Sequence, residues 1–194
     1  MTITSIFTVF LSLLLVGCSA GGSQVPGAST DGLYSLEEIA ALEESYGMSK
    51  DDLMKQLSIT EDDLKFKNDN MIALSEMETI RDLPFLVTYL NSTAEPTGLY
   101  GVRFDSVSDL DQKETVKKLF DELSEEAISL YGEPGQGPIK STRTYDGVDG
   151  ENITTRWKVG EQSSFSLTYS EQPDGVYLAL AYSLVIPGSI HDFG

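Results

Sequence analysis

Cys18 and His191 are the chain's one thiol and one imidazole, so most side-chain catalysis would have to pass through them. A Ser-His-Asp or Cys-His arrangement needs that histidine, which stands in the stretch GSIHDFG, read as a loose tail. Zinc held by several His or Cys ligands is excluded by the same count. Carboxylates are the abundant chemistry, with 31 Asp and Glu in 194 residues, enough for a glycosidase-like acid–base pair. None lies within an apolar run, where burial would raise its pKa toward that of a general acid. Asp146-Gly147-Val148-Asp149-Gly150-Glu151 clusters oxygens that could hold calcium through Asp146, Asp149 and Glu151. It lacks the alternating ligands of an EF-hand, and Asp-Gly pairs are ordinary turn formers, so a turn is expected there. Asp51-Asp52 and Glu61-Asp62-Asp63 read as acids offsetting helix N-termini. Gly132, Gly135 and Gly137 follow a helix instead of preceding one, the wrong order for a phosphate cradle. The expectation is no catalytic residue, no cofactor and no resident metal.

The net charge of −18 comes from 31 acidic against 13 basic residues. Asp31 to Asp82 holds fourteen acids and five bases, and the remainder seventeen and eight, so each part carries −9. Acidity spread in this way repels a nucleic-acid duplex or an anionic bilayer and keeps a secreted body soluble. MSKDDLMKQLSITEDDL has the outline of a helix-turn-helix, but Glu61, Asp62 and Asp63 stand where phosphates need Lys or Arg. No nucleic-acid partner is expected.

Residues 3–16, ITSIFTVFLSLLLV, make an apolar run short for a membrane span and suited to a signal peptide. It ends in Leu15-Val16-Gly17-Cys18, which resembles the lipobox of bacterial lipoproteins. That resemblance implies cleavage before Cys18, acylation of its thiol and anchoring at the outer, extracytoplasmic face of a bacterial membrane. The following SAGGSQVPGASTD is Gly/Ser-rich and reads as a tether. Residues 1–17 contain no Lys or Arg, leaving the positive charge of a leader to the α-amino group or to an upstream start. The organisation expected is a signal peptide over 1–17, lipidated Cys18 and tether over 18–31, one folded domain over 32–187, and a tail over 188–194.

The domain's elements follow from periodicity. Leu110 to Pro134 predicts one long helix, with Val116, Leu119, Phe120, Leu123, Ala127, Leu130 and Tyr131 in an apolar stripe. Asp111 with Glu114 forms a candidate capping box, and Gly132 and Pro134 end the helix. Upstream, Ser35 with Glu38, Ser49 with Asp52, and Thr60 with Asp63 open three short helical segments, the last carrying Leu64 and Phe66. Asn68 to Asp82 fits strand or helix. From Pro84 the period is two: Phe85, Val87 and Tyr89 oppose Leu86, Thr88 and Leu90, and Tyr100, Val102 and Phe104 oppose Gly101, Arg103 and Asp105. After the helix come Ile139 to Tyr145, then Ile153, Thr155, Trp157 and Val159, then Phe165, Leu167 and Tyr169. The chain turns at Gln172-Pro173-Asp174-Gly175, where glycine permits positive φ, into Val176 to Val185. In that last strand Val176, Leu178, Leu180, Tyr182 and Leu184 oppose Tyr177, Ala179, Ala181 and Ser183, and the small residues of this second face are expected to receive the long helix.

These elements predict an α+β fold, an antiparallel sheet with helices packed on one face. Gly47-Met48-Ser49-Lys50-Asp51-Asp52-Leu53 resembles the first helix of BamE-type small lipoproteins. Leu130-Tyr131-Gly132-Glu133-Pro134 is similar to the Leu-x-Gly-x-Pro by which such units enter a meander bearing a Trp, here Trp157. Leu57-Ser58-Ile59-Thr60 departs from that exit. Tandem units of this kind build the β-lactamase-inhibitor proteins, and the resemblance over residues 47–185 implies non-catalytic protein binding. The functional expectation is a lipid-anchored protein that binds another protein or a cell-envelope component. The rivals are a carboxylate-dependent envelope hydrolase and a proteinaceous inhibitor of a hydrolase. Asn91-Ser92-Thr93 and Asn152-Ile153-Thr154 match the glycosylation sequon, which carries no weight beside a bacterial lipobox.

Overall fold

Helix followed by a four-stranded meander occurs twice along this chain, and the two meanders share one sheet. The computed structural model describes residues 35–93, 97–145 and 147–184, and all structural statements concern those residues. The first half has α1 (Leu36–Ala40), a 3-10 turn over Ala41–Ser45, and α2 (Lys50–Gln56). Its strands are β1 (Leu64–Lys67), β2 (Met71–Ile80), β3 (Leu83–Ser92) and β4 (Gly98–Ser108). The second half has α3 (Lys113–Tyr131), β5 (Gln136–Tyr145), β6 (Val148–Lys158), β7 (Ser163–Gln172) and β8 (Gly175–Leu184). The order β1-β2-β3-β4-β8-β7-β6-β5 places the last strands of the two meanders side by side. The architecture is mixed α+β and richer in strand than expected. Asn68 to Asp82 resolves into β2, and Leu64 and Phe66 lie in β1 instead of on a helical turn.

Local chemistry sets several boundaries. The Ser49 hydroxyl accepts from the Asp52 N–H at 3.2 Å, and the Thr60 N–H donates to the Asp63 carboxylate at 2.7 Å. Helix α2 closes with Ile59 N–H on the Met54 carbonyl (2.8 Å) and Ser58 N–H on the Lys55 carbonyl (3.2 Å), a Schellman pair. Ser58 sits at φ 57 where a glycine is usual. The expected Asp111–Glu114 box does not form. Asp111 is absorbed into a 3-10 turn over Leu110–Gln112, and the cap of α3 is Gln112, with no side-chain bond. The other end is as read: Gly132, at φ 81, donates to the Ile128 carbonyl.

Val116, Leu119, Phe120, Leu123 and Ala127 of α3 are buried, but Leu130 is 38 % exposed. In the last turn only one of two adjacent residues reaches the sheet, and Tyr131 takes that place, its ring 6.0 Å from Phe165. Phe120 likewise meets Tyr169 at 6.0 Å. Paired residues of an antiparallel ladder share a face, so the register extends this contact into a row: Trp157, Phe165, Tyr182, Val102, Tyr89 and Ile72, all buried. Helix α3 therefore packs on the large side chains of β8, not on the small face of Ala179 and Ala181. Bulky aromatic and aliphatic groups bury more apolar area against a helix than Ser and Ala do, which decides the side.

Two further departures come from single residues. A register shift at Leu90/Asn91 brings Leu99 into the core and leaves Tyr100 half-buried, against the expected alternation. Gly175 is absent from the positive-φ positions; a Cβ there would stand 2.7 Å from the Ser108 carbonyl oxygen, so close approach of backbone demands the glycine.

Candidate functional site

The face of the sheet opposite α3 carries the most distinctive surface. Four of its positions on β7 are Ser164, Ser166, Thr168 and Ser170, and β8 adds Ala179, Ala181 and Ser183. Apart from Gln172 and Tyr177 at one end, the two adjacent strands present a strip of short side chains there, and Ser164, Ser170 and Ser183 are buried. The register carries one row across every strand: Phe66, Ala73, Thr88, Arg103, Ala181, Ser166, Arg156 and Gln136. Arg103 and Arg156 flank the strip three strand spacings apart, about 14 Å. Lys158 lies one position along from Arg156 on the same face, and Tyr177, paired with Val107, closes one end. Arg103 bonds Asp105 at 2.7 Å, and Arg156 donates to the Gln136 side chain at 3.3 Å. Exposed apolar groups rim the surface: Phe66 (47 %), Met77 (57 %), Val107 (57 %) and Ile139 (44 %). Among the described residues the carboxylates at this face are Asp105, bonded to Arg103, and Asp174, which accepts from the Tyr177 hydroxyl at 2.8 Å, set against Arg103, Arg156 and Lys158. In a chain of charge −18 this positive excess is a local reversal.

Comparison of the chain with known protein families, curated proteins and solved structures found no match. Its sites are therefore read from geometry alone.

Cys18, His191 and Asp146 lie outside the described residues, as do the expected leader, tether and tail. Asp149 and Glu151 stand two apart on β6; the Thr144 hydroxyl donates to Asp149 at 2.6 Å. Among the described residues no group of three His, Cys, Asp or Glu is placed to hold a metal ion, and no helix is long and apolar enough to cross a membrane. The sequon residues Asn91 and Asn152 are both buried.

On the helix side, Glu43 joins the halves by accepting from Ser163 at 2.5 Å and from the Tyr182 hydroxyl at 3.1 Å. Tyr46 stacks over Tyr182 with centroids 6.3 Å apart. Burial, then the neighbouring Glu126 and Glu37 charges, push the Tyr131 hydroxyl up to about 12. Burial raises Tyr46 and Tyr182 as well, so these phenols stay neutral and are not bases. At the start of α3, Lys113 pairs with Glu171 at 2.9 Å and the Tyr169 hydroxyl donates to the same oxygen at 2.9 Å. Burial pushes Glu171 up, but these bonds outweigh it and its carboxyl stays below the usual range. Glu78 is shifted the other way: burial first, then the Glu76 charge, hold its carboxyl above the usual range.

Sequence reasoning did not single out the small-residue face as a site. Its signal is the alternation of Ser, Thr and Ala on two consecutive strands, of which only the β8 members, Ala179, Ala181 and Ser183, are read from the sequence, and as a seat for α3.

Proposed function

We propose that this chain is a lipid-anchored extracytoplasmic protein, attached at Cys18, that binds another protein or envelope component through the sheet face opposite α3 and performs no catalysis. The observation that carries the reading is the charge reversal on that face, with Arg103, Arg156 and Lys158 beside a strip of Ser, Thr and Ala. Clefts are not needed for such a role. Binding energy concentrates in a few aromatic and arginine side chains, and Tyr177 and Arg156 have that character here. The lipobox supports the anchor, and the repeated helix-then-meander order supports the likeness to tandem-unit binding proteins. An inhibitor of a hydrolase is one form this binding takes. The hydrolase reading has one observation in its favour, the raised pKa of Glu78, which lies on β2 away from the basic strip.

One experiment with two arms tests the proposal. The full chain and its Cys18→Ser variant are expressed in bacteria with a labelled fatty acid, and residues 31–194 are cross-linked to envelope extract. Label should enter the wild type alone, and Tyr177→Ala or Arg156→Ala should weaken capture of its cross-linked partner while Glu78→Gln leaves it unchanged. Label on the serine variant overturns the anchor. Capture indifferent to both outer-face substitutions, or substrate turnover abolished by Glu78→Gln, overturns the binding reading.

A further inference from the structure

Leu110 and Val148, 52 % and 54 % exposed, meet at one end of the sheet. With Pro173 they wall a cleft of about 240 Å³ whose open surface is mostly apolar. Two glycines shape it through close approach of backbone. A Cβ at Gly150 would stand 2.1 Å from the Glu171 carbonyl oxygen, so the start of β6 lies tight against the end of β7. Gly175 meets the Ser108 carbonyl oxygen in the same way, which seats the Pro173 turn beside Leu110. Single exposed apolar side chains are ordinary on a surface, but two that converge on one cleft mark a contact site.

We propose that this cleft receives one apolar side chain of a cationic segment from a partner protein. The inference goes beyond the outer-face reading, since it names a second surface of opposite sign. The three segments that wall the cleft, 109–114, 148–151 and 171–174, hold seven carboxylates and one lysine. Fourteen residues thus carry −6, a third of the charge of the whole 194. Lys113, the one lysine, is bound to Glu171 at 2.9 Å. Glu171 first, then Glu114 and Glu151, hold its ammonium above the usual range, which gathers three carboxylates around one cation. Asp149 and Glu151 also border an adjoining cleft of about 360 Å³, where Lys140 is the one cation.

Volume and charge together select the guest. The cleft falls below the roughly 300–1,000 Å³ of small-molecule sites and suits a single large side chain. Carboxylates around an apolar floor favour Lys or Arg on either side of that anchor, within a Debye length of about 10 Å. An apolar anchor in a pocket with a charged rim is the usual distribution of energy at an interface. The chain's own terminal segments are poorer occupants, because 1–34 and 185–194 contain no Lys or Arg. A second copy is poorer too, since it brings a charge of −18 against −18.

The probe is a capped, labelled peptide with leucine at its centre and lysine alternating with glycine on either side. Its counterparts carry serine for the leucine or glutamate for the lysines. Each is added to residues 31–194, which hold every described element, and followed by fluorescence anisotropy and amide hydrogen exchange. The leucine peptide should bind at least about tenfold more tightly than either counterpart and slow exchange within 110–114, 148–151 and 171–174. Leu110→Ser and Val148→Ser, both at exposed positions, should keep the circular dichroism spectrum and each weaken binding about tenfold. Asp149→Asn with Glu151→Gln should do the same. Glu61→Gln with Asp62→Asn, an equal change of charge in the first half of the chain, should shift affinity less than about twofold. Equal binding of the leucine and serine peptides, protection confined to other segments, or equal loss from the two carboxylate pairs overturns the proposal. The exchange map is read on the unmodified chain, so a misfolded variant does not rescue it. Failure here with capture still sensitive to Tyr177→Ala and Arg156→Ala refutes this site alone; loss of that sensitivity refutes the outer-face reading and leaves the peptide result to decide this one.

Discussion

Ser58 holds the left-handed conformation, φ 57, that closes α2, and an L-residue with a Cβ is disfavoured there. Replacing it with glycine removes that cost but frees the unfolded chain, and the two effects differ in size. Ser58→Gly should stabilise the protein by about 0.5–1 kcal/mol in urea melts. A loss of stability would mean that the serine makes a compensating contact. The sequence marked this spot as a departure from a Gly-x-Pro exit, and serine performs the glycine's role at an energetic disadvantage. Glu78 makes the second residue-scale case. Its folded pKa lies above the unfolded value, so the native state binds the proton more tightly and stability falls as pH rises between the two values. Glu78→Gln should therefore match the wild type at about pH 3 and exceed it in stability at about pH 7. A constant difference across that range would show that the change acts through packing instead of ionisation.

At the scale of elements, α3 was the most legible part of the chain, because a long amphipathic period survives errors at single positions. Its limits were not. Leu130 and Tyr131 both satisfy the spacing, and only the sheet beneath them decides that Tyr131 is the one covered. Leu123→Ala should cost about 2–5 kcal/mol, as core truncations do, whereas Leu130→Ala should cost less than about 1 kcal/mol. Similar losses in denaturant melts would restore the broader stripe. The caps at Ser49 and Thr60 were readable because each is settled within a few residues. Strand β2 was not, since its apolar residues also fit a helical spacing and its turn to β3, Arg81-Asp82, lacks glycine. Both residues take positive φ, 47 and 70, so the turn has the geometry of a tight hairpin without the usual composition. The side of β8 that faces α3 was misread for a related reason. Alternation reveals that two faces differ, while the choice between them belongs to what each buries.

Across the whole molecule, the two helix-and-meander halves are joined in more than one way. Strands β4 and β8 pair without a break from Gly101–Ser183 to Ser108–Val176. Arg81, on the β2–β3 turn, reaches Glu122 at 3.6 Å and bonds Glu126 of α3. Tyr131 donates to the Leu36 carbonyl at 3.3 Å, and Glu43 receives Ser163 and Tyr182. The outer face is a property of this scale too: its row of eight residues is drawn from strands far apart in the chain and no local pattern displays it. The surface ion pairs contribute little singly, but the shared ladder and continuous core leave neither half with a complete apolar interior of its own. The halves should therefore unfold together. Trp157 is fully buried in the second half and reports on that half alone, while far-ultraviolet circular dichroism reports on both. In a urea titration the two signals should give coincident transitions, the mark of two-state behaviour. A circular dichroism transition that precedes the loss of native Trp157 fluorescence would show the first meander melting independently, and the β4–β8 seam would then be a docking of two units instead of the centre of one.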